Sequence, residues 1–261
     1  MQPQLSTHSL DAPLTPLTYA RRAEPSELPE LMDGPLPYNV LRDYLRDLAK
    51  VNRFTRGYLP TLVFLNRITD LIAKDHSVFD PLRILDVGCG GGDTLRVIAQ
   101  WATRHGLAVE LTGIDLNPHV TRAALELSSK DPLAASINFL TADVFTYTPR
   151  HQPDIILSAL FTHHLTTPEI LRFLRWTEDN ARLGWFINDL HRSRRAATLF
   201  RFVPLLFGWH SHIQHDGPVS LRRAFVPADW QRMLATTNIP SATIEQHPMN
   251  RLCVARVREP R

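Results

Sequence analysis

Hydrophobic and polar positions along this chain follow three different rhythms. Residues 1–30 show almost none. They are rich in Pro, Ser, Thr and Glu, which predicts a flexible N-terminal segment. From 36 to 80 the apolar residues recur at helical spacing. Tyr38, Leu41, Tyr44, Leu45 and Leu48 share one face, Tyr58-Leu-Pro60 interrupts it, and Leu62, Leu65, Ile68 and Ile72 resume it over Thr61–Ala73. Residues 31–80 therefore read as a helical cap.

Between residues 80 and 190 short apolar runs alternate with amphipathic stretches. Near-continuous apolar strands are expected where helices cover both faces of a parallel sheet. The runs end at Asp86, Asp115, near Asp143, at Ala159 and at Asp189. Residues 190–226 break this rhythm with an arginine-rich helical run (Ser193–Val203), several aromatics and His215-Asp-Gly-Pro218. A helix over Pro227–Ala235 follows, and then Thr243–Gln246 and Arg251–Val257, joined by Pro248-Met-Asn250. So short a link permits only antiparallel pairing, because a parallel crossover needs a dozen or more residues. The fold class is α/β, with domain limits expected at 1–30, 31–80 and 81–261.

The segment with the most chemical content is Arg83-Ile-Leu-Asp-Val-Gly-Cys-Gly-Gly-Gly-Asp93, followed by a helix from Thr94. A strand, a glycine turn and a helix start make a cofactor-binding corner. The dinucleotide fingerprint needs a small residue where Asp93 stands, and a carboxylate there opposes a pyrophosphate. The pattern that fits is acidic-x-Gly-x-Gly-x-Gly, filled by Asp86, Gly88, Gly90 and Gly92. With Asp115 at the end of a second strand, Asp143-Val144 after a third and the terminal hairpin, residues 80–257 resemble the class I S-adenosylmethionine (SAM)-dependent methyltransferases.

That resemblance implies a Rossmann-like seven-stranded sheet with an antiparallel last strand, a helical N-terminal cap and a lid insertion at about 190–226. It implies SAM as cofactor, held by Asp86, Gly88, Cys89, Gly90, Gly92, Asp115, Leu116, Asp143, Val144 and Ser158. In such enzymes the acid at Asp115 takes the ribose hydroxyls. The residues at Asp143 and Val144 face the adenine. A nicotinamide dehydrogenase shares the acid at Asp115 but not Asp93 or the hairpin.

Methyl transfer from a sulfonium needs alignment of the acceptor and, for a hydroxyl, removal of its proton. His163 and His164 follow the fourth strand at the edge where donor and acceptor meet, and are the expected catalytic residues. Either also suits capping of the helix near Thr166-Thr-Pro168. His191 and Arg222 are the expected substrate contacts. Asn188 and Asp189 lie on the same edge. His210, His212, His215 and Asp216 match no zinc spacing. They read as pocket lining, with a hinge at Gly217-Pro218, and no metal is expected. Phe200, Phe202, Phe207, Trp209 and Phe225 suit a lid over a planar or lipophilic acceptor.

Composition adds bounds. With 44% hydrophobic residues the chain can bury a core, and two cysteines exclude a disulfide framework. Cys89 and Cys253 read as small buried residues. The start lacks a signal-peptide pattern and no apolar stretch is long enough for a membrane span, so a cytoplasmic monomer or homodimer is expected. A net charge of +3 with clustered arginines suits an acidic substrate as well as it suits nucleic acid. The Asn/Asp-Pro-Pro-Tyr/Phe signature of amino-group methylases is missing before Phe161, so nucleic acid is not the expected partner. The expected activity is O-methylation of a small phenolic or polyketide-like acceptor of secondary metabolism. C- or N-methylation, and RNA or protein methylation, stand as alternatives.

Overall fold

The structure, a computed structural model, describes residues 19–74, 81–200, 211–239 and 241–258. Among them, strands β1 (Leu82–Val87), β2 (Val109–Asp115), β3 (Asn138–Thr141), β4 (Ile155–Ala159), β5 (Gly184–Leu190), β6 (Thr243–His247) and β7 (Arg251–Val257) form one seven-stranded sheet. Its order is β3-β2-β1-β4-β5-β7-β6. The first five strands run parallel, and β7 lies antiparallel to both β5 and β6. Met249 and Asn250 turn the hairpin with φ of 57° and 63°. The chain builds outward from β1 to β3 and then returns to β4 on the other side of β1. That reversal opens a crevice at the carboxyl ends of β1 and β4.

Alternate side chains of each strand go to opposite faces. On one face Ile84, Leu111 and Phe186 meet α2 (Leu59–Lys74) and α3 (Asp93–His105) through Phe64, Leu65, Ile68, Leu95 and Trp101. Phe64 stacks on Phe186 with ring centroids 4.7 Å apart. On the other face Leu85, Ile156, Trp185 and Ile187 meet α5 (Thr167–Asn180) and a later helix over Pro227–Thr237 through Phe173, Leu174, Trp230 and Leu234. Asn117 caps α4 (Pro118–Ser128) by accepting from the His119 N–H at 2.9 Å, and Thr166 with Glu169 forms a capping box for α5.

The helical cap is α1 (Tyr38–Phe54) followed by α2, broken where Tyr58-Leu-Pro60 stands. Asn188 of β5 fastens it: its amide donates to the Gly57 carbonyl at 2.8 Å and to Thr61 Oγ1 at 3.1 Å.

Two expectations change. Within the segment read as flexible, residues 1–18 lie outside the described residues, and in 19–30 Ala23 and Glu30 are buried while Arg21, Ser26 and Glu27 are exposed. Arg22 lies 4.7 Å over the Phe225 ring and donates to the carbonyls of His163 and Leu165, while Glu30 is buried. Charged side chains order this stretch by finding buried polar partners, which a low apolar content does not reveal. The insertion is also more helical than expected. It holds α6 (Arg194–Phe200) and α7 (Ser211–Arg223), and the helix over Pro227–Thr237 is α8. Gly217 and Pro218 sit inside α7 and not in a connecting segment. A Cβ on Gly217 would stand 2.0 Å from the Phe200 ring, so this glycine lets α6 and α7 close on each other. Phe225 is fully buried beside Trp230 in the core, not in a lid; Phe202, Phe207 and Trp209 lie outside the described residues. No described helix is long and apolar enough to cross a membrane.

Asn188→Leu should lower stability by about 1–3 kcal/mol, because two acceptors are left unpaired in the interior. Chemical denaturation reads this directly; an unchanged midpoint would contradict the anchoring role of Asn188.

Candidate active site

The turn after β1 starts from two backbone bonds: the Gly88 and Cys89 N–H groups donate to the Ile114 carbonyl at 2.9 and 3.0 Å. Its glycines then serve different ends. Gly88 has φ of +67°, and a Cβ there would meet the Phe161 ring at 2.4 Å. Gly92, at φ +71°, starts α3 and leaves room for the Phe139 ring. Gly90, at φ +53°, has nothing within 4 Å of its missing Cβ. It faces a cavity of about 830 Å³ that runs from this turn to the inserted helices. Gly90 is thus the point where a ligand can touch bare backbone.

Three carboxylates surround this turn. Asp86 is buried, and its Oδ1 has no hydrogen-bond partner. Asp115 accepts from the Asn117 N–H at 3.0 Å through Oδ1 and from the Gly90 N–H at 3.2 Å through Oδ2. Asp93 accepts from Asn52 Nδ2 at 3.1 Å and from the Tyr58 hydroxyl at 2.7 Å. Burial, then the charges of Asp93 and Asp115, push the Asp86 carboxyl well above the usual carboxylate range. Burial also raises Asp115. A site of this sign attracts a cation and repels a pyrophosphate.

The cavity's other end holds a histidine pair. Leu160, with φ of +53°, turns the chain out of β4 into a short 3₁₀ turn over Thr162–His164. Asp189, fully buried in β5, holds this turn with both oxygens. Its Oδ1 lies 2.7 Å from His163 Nδ1; its Oδ2 accepts from Thr162 Oγ1 at 2.5 Å and from the His163 N–H at 3.1 Å. The positive charge and hydrogen bond offered by His163 outweigh burial and hold the Asp189 carboxyl well below its usual range. His164 Nδ1 lies 2.9 Å from Asp33 Oδ1, and Arg223 donates to Asp33 Oδ2 at 2.6 Å and to the His163 carbonyl at 3.0 Å. Glu30 faces both rings and accepts from Ser220 Oγ at 2.9 Å.

Comparison with known proteins fits this geometry. The methyltransferase domain family matches residues 84–182. Trans-aconitate 2-methyltransferase of Streptomyces avermitilis is 33% identical over 117 residues, covering 44% of this chain and 41% of that protein. Ubiquinone biosynthesis O-methyltransferase of Vibrio cholerae is 25% identical over 164 residues, covering 61% and 58%. The chain spans about two fifths of the length of the trans-aconitate methyltransferases it matches. Among solved structures, the plantazolicin methyltransferase BpumL, in complex with a monoazolic desmethylPZN analogue and SAH, superposes with a TM-score of 0.58 at 16% identity, covering 86% of this chain and 96% of that one. Magnesium protoporphyrin IX methyltransferase from Synechocystis gives 0.51 at 16%, covering 87% and 89%.

Residues 84–182 form a class I methyltransferase domain.

The structure gathers most of the expected residues around the cavity and leaves four off its wall. Asp86, Gly88, Cys89, Gly90, Asp115, Leu116, Asp143, Val144, His163 and His164 all line the cavity. Gly92 does not; its conformation serves the turn and the Phe139 ring. Ser158 points its hydroxyl into the interior of β4, without a partner. His191 is tied by its backbone to Asn250 and stays off the cavity wall. Arg222 is also off the wall, and the adjacent Arg223 reaches the site. On a helix, one residue's difference rotates a side chain by about 100°. His212 and His215 lie on α7 and not on an extended segment, and His210 lies outside the described residues. Burial raises both thiols, Cys253 to about 12, so neither is a nucleophile.

Asn52, Tyr58, Glu30, Asp33 and Arg251 were not singled out by sequence. Arg251, buried in β7, donates to Asn52 Oδ1 at 2.9 Å, so a chain of polar contacts links the last strand to α1 and the glycine turn. No local motif marks these residues, because each acts across a long sequence separation.

Asp86 ionises more readily in the unfolded chain than in the fold. The shift therefore adds no cost below the usual carboxylate pKa of about 4, and its cost grows as pH rises from there to the raised native value. Asp86→Asn should raise the melting temperature of the ligand-free protein, and by more at about pH 8 than at about pH 4. Thermal melts across pH check this; a variant less stable than wild type at both values would contradict it.

Proposed function

We propose that this protein transfers the methyl group of S-adenosylmethionine to a hydroxyl oxygen of a small, largely apolar acceptor. The observation that carries the reading is one cavity with an acidic glycine turn at one end and a carboxylate-oriented imidazole at the other. The turn suits SAM, whose sulfonium and ammonium groups are both positive. Asp115 would take the ribose hydroxyls on its remaining lone pairs, and Gly90 and Asp86 would meet the methionyl end. Asp143, with Val144, would face the adenine; its Oδ1 is already fixed by the Phe145 N–H at 2.9 Å. The bound donor supplies an activated methyl group, so the chain's own task is to place and deprotonate the acceptor.

The acceptor space is formed by α1, α6 and α7. Tyr44, Leu48, Leu199, Phe200, Ile213 and Leu221 line it, and the exposed apolar side chains of Phe54, Leu116 and Met249 stand at its wall. These walls favour a lipophilic or planar molecule. The acceptors named by the relatives differ widely, so the acceptor class is read from the cavity. Asp189 fixes His163 with its Nδ1–H toward the carboxylate, which leaves Nε2 as the proton acceptor. A buried, oriented base favours oxygen over an acceptor that needs no deprotonation.

Two variants test the two ends separately. Asp115→Ala should weaken SAM binding about 100-fold by calorimetry, through loss of two charge-assisted hydrogen bonds. Unchanged affinity would remove Asp115 from the ribose. Asp189→Asn should lower turnover about 10²–10⁴-fold with SAM affinity retained. Full activity with a panel of phenolic acceptors, read as S-adenosylhomocysteine release, would contradict the assigned role of Asp189.

A further inference from the structure

We propose that Glu30, His163 and His164 form a site for a divalent transition cation of the zinc type at the inner end of the acceptor cavity. This rests on the methyl-transfer reading and, with the cation bound, makes His163 Nε2 a ligand in place of the base proposed above.

Three observations converge on it. First, one ligand atom from each residue lies within 4.8 Å of the other two. Glu30 Oε1 is 3.7 Å from His163 Nε2, and Glu30 Oε2 is 3.9 Å from His164 Nε2. These separations exceed hydrogen-bonding reach. Tetrahedral zinc with bonds of about 2.0–2.1 Å spaces its ligands about 3.3 Å apart, so the three groups must draw together to close on an ion.

Second, the far nitrogen of each ring is held by a carboxylate: Asp189 at 2.7 Å on His163 and Asp33 at 2.9 Å on His164. The Asp189 contact places the His163 proton on Nδ1 and presents its Nε2 lone pair, while His164 Nδ1 is shared between Asp33 and Arg223 Nη2 at 3.2 Å, and its Nε2 faces Glu30. Metal-binding histidines are oriented in this way by the partners of their other nitrogen. Arg223 donates to Asp33 and to the His163 carbonyl, lies 3.2 Å from His164 Nδ1 through Nη2, and approaches Glu30 Oε1 at 3.4 Å through Nη1, so neither imidazole Nε2 is among its contacts.

Third, all three ligands line the cavity, which leaves a fourth coordination position open to it. An acceptor hydroxyl bound there would release its proton to solvent more readily, in place of abstraction by His163.

The test uses the metal-stripped full chain titrated with Co²⁺, whose visible absorption reports low-symmetry coordination. A saturable absorption band is expected. Glu30→Gln keeps the side chain's shape, and His164 is partly exposed, so both variants should fold; each should weaken Co²⁺ binding at least about 100-fold, and Asp33→Asn about 10-fold. His151→Ala, exposed and distant, should bind as wild type. SAM titration of every protein serves as the folding control. Absence of the band, or equal affinity in Glu30→Gln and His164→Ala, overturns the metal site while SAM binding stands. Loss of SAM binding in the wild type would instead overturn the methyl-transfer reading.

Discussion

Like-charge crowding of Asp86, Asp93 and Asp115 around one glycine turn is the constraint on which the rest depends. Three carboxylates near one another, one of them buried with an unpartnered oxygen, are costly in the absence of a ligand. The fold relieves the cost in part. Asp93 is held by Asn52 and Tyr58, and Asp115 by two backbone N–H groups, while Asp86 is left to shift its ionisation. Completion by a cation follows from the same arithmetic, and any cationic ligand that binds there stabilises the whole domain.

The relief of Asp93 also sets the architecture of the cap. Its two partners come from α1 and from the bend before α2, so the cap is docked through the cofactor turn itself. Arg251 extends that connection to the last strand. An antiparallel β7 brings Arg251 to the correct end of the sheet, because its first residue lies beside the last residue of β5 in the pairing Leu190↔Arg251. Sheet topology, cap position and cofactor chemistry are thus one linked arrangement. The acceptor end is built likewise: Asp189, one register step from Leu190, reaches across to the turn after β4.

Much of this was legible in the sequence where the signal is local. The glycine turn, the acids closing β1 and β2, the Asn117 cap and the short link of the hairpin each fix a conformation within a few residues. Asp93 and the terminal hairpin both argue against a nicotinamide dinucleotide. The losses occurred where partners are distant. Glu30 sits in a stretch whose composition suggests disorder, yet it meets Ser220 across 190 positions. Arg222 and Arg223 look alike in sequence, and only the phase of α7 separates an outer residue from a fully buried one. Gly92 and Gly88 match a cofactor pattern but are required by the rings of Phe139 and Phe161.

The most direct test of the central claim is a calorimetric titration of the wild-type chain with SAM and, separately, with NADH. An acidic turn that selects a cationic nucleoside predicts saturable binding of SAM and none of NADH. Heat of binding with NADH, or none with SAM, would contradict the account.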